Sequence, residues 1–245
     1  MTASGLSRSI IQKRLAQPRG LRDHGDVATA RRLMSDNNLM AYDADRLGAL
    51  SSSGIPYDTA PGRPEAKVKR VPAAVLVPLI EHGGTFSVLL TMRPKDMKQH
   101  AGQVAFPGGR LEPHDPDLVA CALREAEEEV GLSRARVEVL GRLDPYLTIT
   151  GFEVTPVVGA IEGPVVPRPD PYEVADVFEV PLAFLLDPTN HQRVERDFKG
   201  QRRAYYAMPY GDRYIWGATA GMILNLYDIL MSEPGLSSQQ QGLPK

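Results

Sequence analysis

The chain has 245 residues, enough for one large domain or one domain with extensions, and for a sizeable buried core. Its formal charge of −2 argues against a generalised nucleic-acid binder, which carries a basic surplus. The lone cysteine, Cys121, excludes an internal disulfide and points to a reducing compartment.

In chain order, the first 70 residues hold 12 Lys/Arg against 7 Asp/Glu, and the remainder holds 16 against 23. A basic N-terminal arm on an acidic core is therefore expected. The stretch from Ser7 to Arg22 mixes charges with short apolar runs, which does not read as a secretion signal. Short helices are expected around Ile10 to Ala16 and Val27 to Met34. They are followed by a linker-like Ser/Gly/Pro run, SSSGIPYDTAPGRP. The chain divides most naturally near residue 65: an N-terminal extension over 1–65, a catalytic domain over 66–232, and a disordered tail over 233–245. Val71 to Ile80 and Phe86 to Met92 read as strands joined by a turn at Gly83 and Gly84. Val137 to Leu143, Tyr146 to Ile149 and Val154 to Ile161 read as further strands. The Pro-rich segment GPVVPRPDPY breaks any helix. A short helix is expected over Pro181 to Leu186, then a hairpin pairing Arg193 to Phe198 with Arg203 to Met208 across Lys199 and Gly200. Tyr214 to Trp216 adds a strand before a core helix from Ala218 to Met231. That apolar stretch contains Asn225 and Asp228 and is too short to span a bilayer. Strands flanked by two substantial helices fit α/β or α+β. A cytoplasmic protein without membrane partners is expected.

Residues 106 to 132, FPGGRLEPHDPDLVACALREAEEEVGL, carry the most chemistry. Two glycines lead through a polar loop into a helix bearing Arg124, Glu125, Glu128 and Glu129. Glu125, Glu128 and Glu129 fall at i, i+3 and i+4, so their carboxylates share one side of the helix. Adjacent anions repel, and a divalent cation reverses that sign, since clustered carboxylate oxygens suit Mg²⁺, Mn²⁺ or Ca²⁺. Asp115 fits an N-cap, Pro116 the first helical position and Gly131 the position past the end. Val119, Leu123, Ala126 and Val130 form an apolar stripe nearly opposite Arg124 and the glutamates.

This segment resembles the signature of the Nudix hydrolases: Gly, five residues, Glu, seven residues, then Arg-Glu-apolar-x-Glu-Glu-x-Gly-apolar. The second half is present from Arg124 to Leu132. The first half departs from it, with Pro116 at the expected Glu and Arg110 at the expected Gly. A one-residue insertion restores Gly108 or Gly109 and sets Asp115 in place of that Glu, without a catalytic role. Upstream, LLTMRPKDMKQHAGQVAFPGG over Leu89 to Gly109 looks like the motif of the coenzyme A pyrophosphatase branch, with Lys98 where that branch has Arg. The resemblance implies a Nudix α/β/α sandwich with a mixed sheet and a metal-dependent diphosphatase using Mg²⁺ or Mn²⁺.

Metal ligands are expected at Glu125 and Glu129, with Glu128 as a further ligand. Arg124 reads either as a phosphate contact or as an ion pair fixing a neighbouring Glu, and the ion pair is preferred. Glu128, Glu173 and Glu153 are the candidates for the water-activating base. Gly108 and Gly109 allow close backbone approach to metal or phosphate. Arg93, Lys98 and His100 are expected to meet the substrate, coenzyme A bringing a 3′-phosphate as well as the diphosphate. His100 also reads as a turn residue, the aromatics from Tyr205 to Trp216 read as hairpin packing or as an adenine stack, and Cys121 reads as a packing residue. The expected activity is hydrolysis of coenzyme A or its acyl thioesters to 3′,5′-ADP and (acyl-)4′-phosphopantetheine. The alternatives are ADP-ribose, NADH or another nucleoside diphosphate derivative, and a non-catalytic nucleotide-sensing module. The partner is a small nucleotide, and a homodimer is left open.

Overall fold

The computed structural model describes residues 5–18, 24–26, 28–29, 70–96, 100–198 and 201–231. The expected helix at Val27 to Met34 (apart from residues 28–29), the linker-like run, the Lys199–Gly200 turn and the tail over 233–245 lie outside the described residues, as does Lys98.

The centre is β2 (Val71–His82), whose sequence VPAAVLVPLIEH is apolar almost throughout because both of its faces are covered. Ala73, Val77 and Leu79 look into one core, while Ala74, Leu76 and Ile80 look into a second on the other side. A tight turn, with Gly83 at φ 58° and Gly84 at φ 88°, returns the chain as β3 (Thr85–Met92). β8 (Phe152–Glu162) runs parallel to β2 over its whole length, from Val71↔Phe152 to Glu81↔Glu162. Among the described residues the sheet has nine strands. It includes β6 (Glu138–Arg142) and β7 (Tyr146–Leu147), both antiparallel to β8.

Four strands of this sheet were not expected, one of them in the N-terminal arm. β4 (Val104–Ala105) and β5 (Gly108–Arg110) fall in what reads as loop, yet β4 pairs with the end of β3 and β5 with the start of β2. They wedge the glycine segment between two strands that diverge toward this end. β9 (Asp176–Pro181) pairs with β3 from Ser87↔Pro181 to Met92↔Asp176.

The layers are those of the expected α/β/α arrangement. On one face lies α2 (Leu118–Val130), packed through Cys121, Ala122, Ala126 and Val130. On the other lie α1 (Arg8–Leu15), α4 (Gly217–Met231) and a small antiparallel sheet of β10 (Gln192–Phe198), β11 (Gln201–Tyr210) and β12 (Arg213–Trp216). A short helix α3 (Leu182–Leu185) follows β9. α4 is buried around most of its circumference, which explains its nearly unbroken apolar sequence.

The arm departs from the expected extension. Residues 5–18 and 24–26 are built into the core: Leu6, Ile11 and Leu15 are buried in it. Arg8 bridges Glu81 at 2.6 Å and Glu138 at 3.0 Å. β1 (His24–Gly25) adds a parallel strand against β7. The Asp26 carboxylate accepts hydrogen bonds from the Tyr146 hydroxyl at 2.8 Å and the Ile149 amide at 2.7 Å. His24 lies 3.2 Å from Asp144 and 3.1 Å from the Asn225 amide. A packing boundary near residue 65 therefore does not separate these residues from the domain.

Candidate active site

α2 begins two residues later than expected. Asp117, in extended conformation, accepts from the Ala120 amide at 2.8 Å and is the N-cap, correcting the assignment to Asp115. The reason is competition for the Asp115 carboxylate. It accepts two hydrogen bonds from Arg124, Nε and Nη2 each at 2.9 Å, and one from the Glu112 amide at 2.9 Å. At the other end Gly131 takes φ 68°, as expected of the cap, and the Leu132 amide reaches back to the Ala126 carbonyl at 3.2 Å.

The helix is buried further round than the stripe implied. Val119 and Leu123 are half-buried, whereas Arg124 and Glu129 of the polar side are buried. That side faces the glycine segment, not solvent. A Cβ on Gly109 would lie 2.4 Å from a Glu125 carboxylate oxygen, so any side chain there would have to displace that carboxylate. The Gly108 amide donates to the Glu129 carboxylate at 3.0 Å. Cys121 donates to the Arg110 carbonyl at 3.2 Å, and burial pushes its thiol up to about 11, so it serves packing and not reactivity.

Electrostatically the polar side has two parts. Arg124 is saturated: besides Asp115 it pairs with Glu125 and Glu128, each at 2.9 Å. Asp115 is held well below the usual carboxylate range by that guanidinium, and Arg124 is held further into its charged form. Glu128, 60% exposed, shares the Nη1 of Arg124 with Glu125. Glu129 is different. Burial pushes it up from 4.5 to about 7, opposed by the Gly108 hydrogen bond and the charge of Arg93 and reinforced by Glu125 and Glu173. Glu125 is also raised, chiefly by burial.

Glu173 reaches this place through the Pro-rich loop. The Arg168 amide donates to the Val130 carbonyl at 2.8 Å and the Asp170 amide to the Glu129 carbonyl at 2.9 Å, so the loop caps the helix's last carbonyls. Glu173 follows, exposed, near enough to raise both Glu125 and Glu129. Glu153 is elsewhere, 3.9 Å from Arg70 at the start of β8. His100 adopts φ 58° and bonds Gln103 at 2.8 Å, which makes it the closure of the loop after β3.

Among the described residues no three His, Cys, Asp or Glu side chains already converge as a metal cage. Glu125 and Glu129 nevertheless offer hard carboxylate oxygens against a backbone without side chains, and Glu129 is a buried anion incompletely compensated. These features fit a divalent cation of the Mg²⁺ or Mn²⁺ type. Sequence reasoning missed the Arg124–Asp115 clasp and the tie of Asp170 to the helix end. For the clasp, the displaced signature carboxylate was the available signal.

A glycine segment laid against helix carboxylates on a mixed sheet defines a class of phosphate-anhydride hydrolases. The family model for the NUDIX domain matches residues 69–198, and the chain belongs to the Nudix family. It is similar to the uncharacterized Nudix hydrolase NudL of Pectobacterium atrosepticum, 44% identical over 154 residues, 63% of this chain and 80% of that one. The protein of the same name from Photorhabdus laumondii is 42% identical, over 63% of this chain and 82% of its own. Among solved structures, the C. elegans Ap4A hydrolase binary complex aligns with a TM-score of 0.40 and 19% identity, over 45% of this chain and 80% of that one. DR0079 of Deinococcus radiodurans aligns with 0.43 and 12%, over 70% and 90%. As a Nudix hydrolase the protein cleaves diphosphate linkages of small nucleoside diphosphate derivatives, chemistry that this family carries out with divalent metal ions such as Mg²⁺ or Mn²⁺. Among the described residues no helix is long and apolar enough to cross a membrane.

Proposed function

We propose that the protein hydrolyses the diphosphate of coenzyme A or acyl-coenzyme A, giving 3′,5′-ADP and (acyl-)4′-phosphopantetheine, in the bacterial cytoplasm. The observation that carries this reading is the placement of the segment Leu89 to Gly109. Its described residues that resemble the coenzyme A branch lie in and around β3, β4 and β5, and its glycine end, Gly108 and Gly109, lies against Glu129 and Glu125.

Glu125 and Glu129 would hold Mg²⁺ or Mn²⁺, which when bound would supply charge neutralisation on the diphosphate and a more acidic water. Gly108 and Gly109 present backbone without side-chain obstruction, so the diphosphate lies close to the carboxylates. Arg93 adds positive charge on the β3 side. Glu173, exposed and set by the capped helix end, takes the proton from the attacking water. The water oxygen bonds to one phosphorus while that phosphorus loses its bridging oxygen to the departing phosphate. Glu128 is engaged by Arg124, which makes it the weaker candidate for the base. Arg124 and Asp115 hold the helix face in register.

The test is a panel of coenzyme A, acetyl-coenzyme A, ADP-ribose, NADH and nucleoside triphosphates with Mg²⁺ or Mn²⁺ and product identification. Coenzyme A or its thioester should have the highest kcat/KM, with 3′,5′-ADP released. A higher kcat/KM for ADP-ribose or NADH overturns the assignment.

A further inference from the structure

Three arginines crowd the end of the sheet where β4 and β5 enter, and their surroundings differ. Arg93 follows β3, and its charge acts on Glu129. Arg213 lies flat over the Phe178 ring at 4.8 Å and is committed to carboxylates, Asp176 at 2.6 Å and Asp212 at 3.3 Å. Arg110 lies over the Phe152 ring at 5.2 Å, is exposed, and has no carboxylate within ion-pair distance among the described residues.

The backbone of Arg110 is fixed. It pairs with Ala73 in the sheet, and its carbonyl accepts from Arg124 and Cys121, each at 3.2 Å. Side chains alternate along a strand. The Cβ direction of Gly109 points at Glu125, so Arg110 projects from the opposite face, where Phe152 packs against the other core. The metal-binding carboxylates and this guanidinium therefore flank one strand, on opposite sides. A diphosphate bound through a cation on Glu125 and Glu129 would lie across the strand from Arg110, and a second anion on the same substrate would be needed to meet that guanidinium.

We propose that Arg110, seated over Phe152, is a specificity-determining residue that binds a phosphomonoester carried by the substrate outside the cleaved diphosphate. This rests on the coenzyme A reading, whose 3′-phosphate is such a group. A guanidinium can meet phosphate oxygens through two parallel N–H bonds, a bidentate geometry that lysine cannot reproduce. The exposed position, without a competing carboxylate, means that no ion pair must break first.

The experiment compares coenzyme A with 3′-dephospho-coenzyme A in the intact protein with Mg²⁺, for wild type, Arg110→Ala, Arg110→Lys and Phe152→Leu. Wild type should prefer the 3′-phosphorylated substrate by about ten- to a hundredfold in kcat/KM, carried mainly by KM, on the scale of a charge-assisted hydrogen bond. Arg110→Ala should reduce that ratio at least tenfold, with Arg110→Lys and Phe152→Leu between the two. A purely structural role lowers both substrates together and leaves the ratio intact, so an unchanged ratio in Arg110→Ala overturns the inference while the coenzyme A assignment stands. Wild type that turns over ADP-ribose but neither coenzyme A form overturns that assignment, and the inference with it. The wild-type arm alone tells these failures apart.

Discussion

Two carboxylates at α2, one in the loop before the helix and one on it, stand in opposite electrostatic conditions. Asp115 and Arg124 are mutually satisfied, with side chains 3% and 10% exposed. Glu129, one turn along from Arg124, is buried with a single backbone hydrogen bond and with neighbouring anions that raise it. The contrast separates what holds the helix from what is poised to react. A completed ion pair is structural because it has no capacity left for a ligand. A buried carboxylate short of positive charge is the natural seat for a cation.

The largest expected effect lies on the satisfied side. Asp115→Ala strands a buried guanidinium and should cost about 3–5 kcal/mol in urea denaturation. A loss under about 1 kcal/mol would mean that Glu125 and Glu128 suffice to hold Arg124. The sign of the pH dependence follows from the lowered carboxyl. Asp115 contributes stability above its unfolded value near 4, and that contribution is lost as the pH falls.

Glu129 should behave in the reverse sense. Glu129→Gln should lower Mg²⁺-dependent turnover at least about a hundredfold, on the scale of a lost catalytic charge. Near wild-type turnover at saturating Mg²⁺ would remove Glu129 from the ligand set. With its folded value raised from 4.5 to about 7, the native state binds the proton more tightly than the unfolded chain. Without metal, stability from this group should therefore fall as the pH rises through that window, by about 3 kcal/mol in all. Mg²⁺ should restore it above pH 7, and Glu129→Gln should flatten the slope. Thermal melts at pH 5 and pH 8, with and without Mg²⁺, measure this. The smallest effect is expected at Glu128, an exposed partner of an already saturated arginine. Glu128→Gln should cost under about 1 kcal/mol and slow turnover only a few-fold. A hundredfold loss would return Glu128 to the metal or the base.

The site was legible where its causes are local. Gly131 at the helix end, the turn at Gly83 and Gly84 and the continuous apolar run of β2 each follow from a few neighbouring residues. Asp115 was misassigned because a cap and an ion-pair partner call for the same residue type, and only the folded path brings Arg124 onto it. β9 was missed because DVFEVP has acids at two of its positions, and its strand state comes from pairing with β3. Spacing set Glu128 on the side of the helix shared with the other glutamates, and only the folded structure adds that Arg124 binds it together with Glu125. The arm read as an extension because its partners are distant in sequence: Arg8 reaches Glu138 across 130 residues.

That last distance sets an order of events during synthesis. The Asp26 contact with Tyr146 spans 120 residues and the His24 contact with Asn225 spans 201. At about 5–20 residues per second, His24 emerges from the ribosome roughly 10–40 s before Asn225 exists to receive it. Over that interval Leu6, Ile11 and Leu15 have no completed core to enter. The His24–Asn225 contact therefore forms late, although the arm's partners Glu81, Glu138, Tyr146 and Leu147 are all translated before α4.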